Sequence, residues 1–449
     1  MQDRLSFDLP WTDLLQRLTS PPPPSLPQHR DGAVTPGDIA IGVVVGRAGE
    51  YFDFFVYALA SVLVFPALFF PQLGRLDGLL ASFAVFTLAF LARPLGTLAG
   101  MAVQRRFGRG AKLTLALLGL GTATCAMALL PGTGAGGGLA AVAALAACRV
   151  LQGLALGASW DGLPSLLALH APAHRRGWFA MLGQLGAPLG FGLAVGLYAL
   201  LWGQLSAEDF LAWGWRFPFF VAFALNVVAL FARLQLVLDD DYADALRRSE
   251  LEPCDLGELL RGGGSRTLAV GAFAALASFA LVHLVTVFPL SWLSLASPRE
   301  LGELLWLQTG GALLAALAMP LSGRLADRIG RRSTLGLLAV AIAGFGGVAP
   351  WLLDGGAAGQ NLYFLLGFVL FGLSYAQAAG AVASAFAPAQ RYLGAALSSD
   401  LAWLLGAGFA PLVALWLSAR FGLGALSLYL LSGAAATLLA LRVQRSLGR

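Results

Sequence analysis

GRAGEYFDFFVYALASVLVFPALFFP, residues 46 to 71, is an apolar run broken near its start by two acids, Glu50 and Asp53. Comparable runs recur from residue 39 to the C-terminus, each bounded by Gly, Pro or basic clusters. A helix of about 20 apolar residues crosses the hydrocarbon core of a bilayer. Only helices and closed barrels satisfy the backbone there, and these runs are too long and continuous for barrel strands. Composition agrees: 58% of the chain is hydrophobic and 12% charged, about half the charged fraction of a soluble domain. The chain is therefore expected to be an all-α membrane protein.

Length divides the runs into about twelve spans, starting near Ile39, Gly78, Lys112, Leu139, Gly177, Gly214, Thr267, Leu301, Thr334, Leu362, Leu393 and Leu423. Basic loops alternate with nearly uncharged ones. QRRFGRGAK (104–112), HRR (174–176), GRLADRIGRR (323–332), QR (390–391) and the final RVQRSLGR fall on one side. The positive-inside rule puts that side, and both termini, in the cytoplasm of an inner (plasma) membrane. The net charge of +5 follows from this bias and does not argue for nucleic acid. The first 37 residues, with SPPPPSLP, lack the pattern of a cleaved signal and read as an extended tail. Cys125, Cys148 and Cys254 form no disulfide framework.

The polar stretch 238–266 leaves about six spans on either side, and a weak repeat matches the two sides. MAVQRRFGRG (101–110) follows the second span as GRLADRIGRR follows the eighth. Duplicated halves around a midplane site are a transporter architecture. The expected organisation is a tail (1–37), a six-helix bundle (38–237), a linker (238–265), a second six-helix bundle (266–443) and a short tail (444–449).

The pattern Gly323, Asp327, Arg328, Gly330, Arg331, Arg332 resembles the loop signature of the major facilitator superfamily. RVLQGLALG (149–157) is similar to its fourth-span signature. EYFDFFVY (50–57), ARPLG (92–96), QLGAPLG (184–190), GWRFPFF (214–220) and RYLGAAL (391–397) resemble its metabolite:proton symporter branch. The resemblance covers most of the chain. It implies two pseudo-symmetric six-helix bundles rocking around a central cavity, importing small organic acids or zwitterions with protons. It also implies gating roles for Asp327 and Arg331.

Charges at mid-membrane cost several kcal/mol unless paired, hydrated or neutralised, and they mark function. Glu50 and Asp53 are about 60° apart around a helix, and Glu50 and Arg149 both lie about 15 Å into their spans. Burial raises a carboxylate's pKa and a nearby guanidinium lowers it. Glu50, Asp53 and Arg149 are thus the candidate proton-coupling set, with a permanent structural ion-pair cluster as the bland alternative. Arg93, about 23 Å into the second span, suits either a substrate carboxylate or a gate salt bridge with Asp400. Asp161 lies about 18 Å beyond Arg149, too far to pair with it, and belongs at a helix seam or inner gate. Tyr57, Gln152, Gln184, His283, Gln308, Tyr375 and Gln377 are candidate substrate contacts, the glutamines and His283 also serving as structural donors.

Two departures stand out. Met101 and Arg105 occupy the Gly and Asp positions of the first loop signature, so a cation replaces the acid that the family sets against its eleventh helix. GASWDG (157–162) has Ser159 where the branch carries Glu, with Asp161 two positions later. GTGAGGG (132–138) lacks the Lys of a phosphate loop, no residues have metal-ligand spacing, and no cofactor or enzymatic activity is expected. The expected partners are a small metabolite, protons and the bilayer, with a monomer as the working unit. An uncoupled uniporter or exporter, and more remotely a non-transporting metabolite sensor, are the competing functions.

Overall fold

The structure, a computed structural model, describes residues 36–133, 138–162, 171–237, 254–378, 382 and 385–444. The expected tail up to residue 35, the linker over 238–253 and the last five residues lie outside the described residues.

Among the described residues, ten helices are long and apolar enough to cross a membrane. The longest, Arg75–Ala128, is two spans, because Gly108 at φ 86° breaks it into α2 (75–107) and α3 (109–128). A further 28-residue helix, α1 (Pro36–Leu63), carries Arg47, Glu50 and Asp53, more charge than an ordinary span tolerates. The others are α4 (Gly138–Ala158), α5 (Arg176–Gln204), α6 (Gly214–Leu234), α7 (Ser265–Ala296), α8 (Leu301–Ile329), α9 (Arg331–Asp354), α10 (Gly356–Tyr375), α11 (Pro388–Phe421) and α12 (Gly424–Val443). Twelve spans result, as expected from the apolar runs. The largest discrepancy in a start is at α10, where the polar Gln360 and Asn361 conceal the first turn from a hydropathy reading.

α1 packs on α5 and α6, and α4 on the α2–α3 hairpin, building one bundle; α8, α9, α10 and α12 pack likewise in the second. The bundles meet where α5 lies against α8 and α2 against α11. Leu313, Leu317 and Leu321 form an exposed stripe along α8, 62%, 70% and 58% accessible, as a lipid-facing helix requires. Gly108 and Gly330 take matching φ values of 86° and 84° at equivalent loops of the two bundles, a left-handed turn open to Gly without strain.

Several helices break where they approach the interface between bundles. Pro289 ends the α-helical turn of α7 that begins at Leu276, because it has no N–H for the Val285 carbonyl. Gln308 supplies the missing donor: its Nε2 lies 3.3 Å from the Val285 oxygen and 2.7 Å from that of Thr286. α11 loosens into a π turn at Trp403–Gly408 just before Pro411.

Candidate functional site

The site is positioned by close packing of α2 on α4. A methyl group on Gly153 would strike the backbone of Ala89, and one on Gly157 the backbone of Arg93 and Thr97. Small residues spaced four apart let two helix backbones touch in this way. The contact brings Thr97 Oγ1 to 3.1 Å from the Gly157 oxygen and sets Arg149 and Gln152, on the preceding turn of α4, against α1 and α2.

Asp53 is 0% exposed. Thr124 Oγ1 donates to its Oδ1 at 2.9 Å, Gln152 Nε2 to the same oxygen at 2.5 Å, and Asn226 Nδ2 to Oδ2 at 2.7 Å. All three donors are neutral. Gln152 is shared: its Oε1 accepts from Arg149 Nη1. Arg149, also 0% exposed, donates from Nε to the Phe86 oxygen at 3.1 Å. Its guanidinium lies 4.0 Å from the ring centre of Tyr57, 4.8 Å from that of Phe86 and 5.4 Å from that of Phe54. Each such contact is worth about 0.5–2 kcal/mol, which offsets much of the cost of burying the charge. Nη2 of Arg149 has no partner among the described residues, and neither does the Tyr57 hydroxyl.

Glu50 sits in a separate network. It pairs with Arg47 at 2.9 Å and with Arg233 of α6. Arg233 also donates to Asp161 from Nε at 3.0 Å and Nη2 at 2.7 Å, and to the Ser159 oxygen at 2.7 Å. The structure therefore brings Asp53 and Arg149 together through Gln152, and joins Glu50 to Asp161 through Arg233. It does not bring Glu50 to Arg149.

The face between the bundles is aromatic. Phe54, Phe55, Phe86, Phe90 and Trp403 surround the His283 ring with centroids 5.3–6.2 Å away. Both His283 nitrogens are buried without a partner among the described residues. Arg149 and His283 share the rings of Phe54 and Phe86, so Arg149 Nη2, the His283 nitrogens and the Tyr57 hydroxyl, all without a hydrogen-bond partner among the described residues, converge on one apolar region. Tyr375 hydrogen-bonds across the interface to Tyr51. Gln308 is at the α7 break and Gln184 is buried in the non-helical turn at 183–185 of α5.

Toward the basic loops the bundles are locked together. Arg93 Nε donates to Asp400 Oδ1 at 2.7 Å, and Thr97 Oγ1 to Oδ2 at 2.5 Å. Asp327 accepts from the Gly177 and Trp178 amides at 2.7 and 3.3 Å. A carboxylate at a helix start is favourable there. Gln377 bridges Arg331 Nε, at 3.3 Å, and the Gly177 oxygen, at 3.2 Å. In the first bundle Arg105 pairs with Asp255 at 3.4 Å near the surface. A second polar contact to α11 is made by the buried Lys112, which donates to Gln104 Oε1 (2.7 Å), the Trp160 oxygen (2.5 Å) and the Tyr392 hydroxyl (3.1 Å).

Comparison with known proteins agrees with this architecture. The family model for "Sugar (and other) transporter" matches residues 39–237. The inner membrane metabolite transport protein YhjE of Escherichia coli K12 is 36% identical over 409 residues, covering 90% of this chain and 92% of that protein. The chain belongs to the major facilitator superfamily. This facilitator is also 30% identical to the shikimate transporter of Escherichia coli K12, over 88% of this chain and 91% of that one. The proton:xylose symporter XylE shares its fold, with a TM-score of 0.67 at 17% identity, over 91% of this chain and 95% of that one. The protein is thus an integral membrane transporter of small metabolites and not an enzyme.

Sequence reading of the facilitator passed over Arg233, Asn226, Thr124 and Lys112. Arg233 falls in the last third of α6, where a basic residue reads as the end of a span. Lys112 likewise stands at the end of a basic loop, and only its burial separates it from the arginines before it.

Proposed function

We propose that the protein imports a small organic acid or zwitterionic metabolite together with protons by alternating access. The basic face is the cytoplasmic one of a bacterial inner membrane, and Asp53 is the proton site. One observation carries this reading: Asp53 is a fully buried carboxylate held by neutral donors, and one of those donors also holds Arg149.

The linkage follows from hydrogen-bond chemistry. A protonated carboxyl donates from one oxygen where the carboxylate accepted at both. Thr124 accommodates that change by turning its hydroxyl, which donates or accepts. With the proton on Oδ1 that oxygen is a poorer acceptor, and Gln152 Nε2, which only donates, shifts toward Thr124 Oγ1, already 2.8 Å away. Because the same amide holds Arg149, protonation of Asp53 releases the guanidinium toward the centre. Arg149, His283 and Tyr57 then receive the substrate carboxylate, while the surrounding rings hold its apolar part. Neither the protonation nor the release breaks an ion pair. Arg93–Asp400 and Asp327 with the α5 amides close the cytoplasmic gate while this happens, and they part when the site opens inward. The Glu50–Arg233–Asp161 network is the fixed support of the first bundle.

A panel of labelled dicarboxylates, monocarboxylic cyclic acids and betaines, offered to proteoliposomes with and without an inward proton gradient, tests the reading. Accumulation of one class above equilibrium under the gradient supports it. Equilibration at the same rate with or without the gradient identifies a uniporter and removes the coupling.

A further inference from the structure

On the basic face a cavity of about 420 Å³ opens between the start of α5 and the end of α8, lined by His174, Arg175, Trp178, Arg324, Asp327 and Arg328. Its walls come from both bundles: residues 174–178 belong to the first and 324–328 to the second. Asp327 is the acid in the wall, and both of its oxygens are taken by the Gly177 and Trp178 amides. Among the described residues no acid pairs with Arg175, Arg324 or Arg328. The Arg324 guanidinium instead lies 5.8 Å from the Trp178 ring centre. Three exposed arginines without an acidic partner among the described residues, with His174 beside them, line one cavity, and guanidinium groups are the side chains that take a phosphate oxyanion in a fork of N–H donors.

We propose that this cavity holds a phosphate group and that its occupancy clamps the cytoplasmic face shut. The phosphate comes from an anionic phospholipid of the adjacent leaflet or from a soluble phosphate. Basic pockets between helices on the cytoplasmic side take anionic headgroups, and the orientation adopted above puts this one at that leaflet. The clamp follows from the walls. Gly177 packs so tightly on α8 that a methyl group there would sit 2.7 Å from both Ala326 Cβ and the Gly323 oxygen. The α5 amides and Asp327 therefore separate as soon as the bundles part. An anion bridging Arg175 to Arg324 and Arg328 binds the closed face alone, and a ligand that binds one of two states shifts the population toward it.

The test is amide hydrogen exchange at Gly177 and Trp178 in the full-length protein, held in nanodiscs of phosphatidylcholine with or without phosphatidylglycerol. The expected result is exchange slowed about tenfold or more by the anionic lipid, in keeping with the attraction of several basic groups to an anionic headgroup. The slowing is lost in the Arg175→Gln, Arg324→Gln, Arg328→Gln variant and partly retained in the corresponding triple Lys variant, which keeps the charges but not the guanidinium forks. Inorganic phosphate added to phosphatidylcholine discs separates the sources: equal slowing assigns the site to a soluble anion, and no slowing assigns it to the headgroup. Wild-type exchange indifferent to both additions overturns the proposal. The readout needs no transport, so it stands or falls independently of proton coupling.

Discussion

Arg233→Gln tests how the first bundle carries its buried charges. Arg233 is 2% exposed and serves Glu50, Asp161 and the Ser159 carbonyl at once. Removing one partner of a buried ion pair costs about 3–5 kcal/mol, because the other charge is left without compensation. Two acids lose a partner here, but Glu50 keeps Arg47 at 2.9 Å. A total of about 3–5 kcal/mol is therefore expected, well short of twice that figure. Adding Asp161→Asn to Arg233→Gln, which removes one of the two acidic charges, should recover part of it. Arg233→Lys should fall between, since an ammonium does not present the fork that meets three acceptors. Unfolding by SDS in mixed micelles, followed by far-UV circular dichroism, measures all three variants. A loss below about 1 kcal/mol for Arg233→Gln, the scale of an exposed ion pair, or no recovery on adding Asp161→Asn, would refute the reasoning.

Other perturbations address the gate, the helix seam and the centre. Asp400→Asn removes the charge facing Arg93 while keeping an acceptor for Thr97. It should raise the labelling of cysteines introduced around the cytoplasmic mouth several-fold, consistent with a weakening of about 1–3 kcal/mol; labelling at the wild-type rate would remove this pair from the gate. Gly157→Ala places a methyl group into the Arg93 and Thr97 backbone, an overpacking that costs about 1–3 kcal/mol or more. It should show as a lowered thermal midpoint, and an unchanged midpoint would mean that α2 and α4 are not in contact there. His283→Phe replaces two unpartnered buried nitrogens with a ring that suits its five aromatic neighbours. It should preserve or raise stability by about 1 kcal/mol while uptake falls at least about tenfold; retained uptake would assign His283 to packing.

The span pattern was legible because lipid demands it: an apolar stretch of fixed length leaves a helix no alternative. The two-bundle arrangement was legible from the polar interruption at 238–266 and from the loop repeat, whose shared Gly108 and Gly330 take the same left-handed turn. The family resemblance, together with depth along the spans, implied a salt bridge between Arg93 and Asp400, and the two side chains lie 2.7 Å apart. Resemblance and depth did not resolve which cation serves which acid. Glu50 and Asp53 differ by one turn of helix, yet one faces Arg233 on α6 and the other faces Gln152, Thr124 and Asn226. That sorting depends on how α6 rotates against α1, which a linear pattern does not contain. The neutral donors were also hidden, since Thr and Asn inside a span are common enough to carry no signal. Asp161 illustrates the point in reverse. Its absence of register with Arg149 was readable, but its partner was not.

Proton coupling through Asp53 is tested most directly by watching the proton. Substrate added to the outside of weakly buffered proteoliposomes, with no gradient imposed, should alkalinise the medium as it enters. Asp53→Asn, which fixes the site in its neutral form, should abolish that signal while leaving downhill substrate entry measurable. Substrate entry with no movement of protons in the wild-type protein, or an undiminished signal in Asp53→Asn, would contradict the assignment.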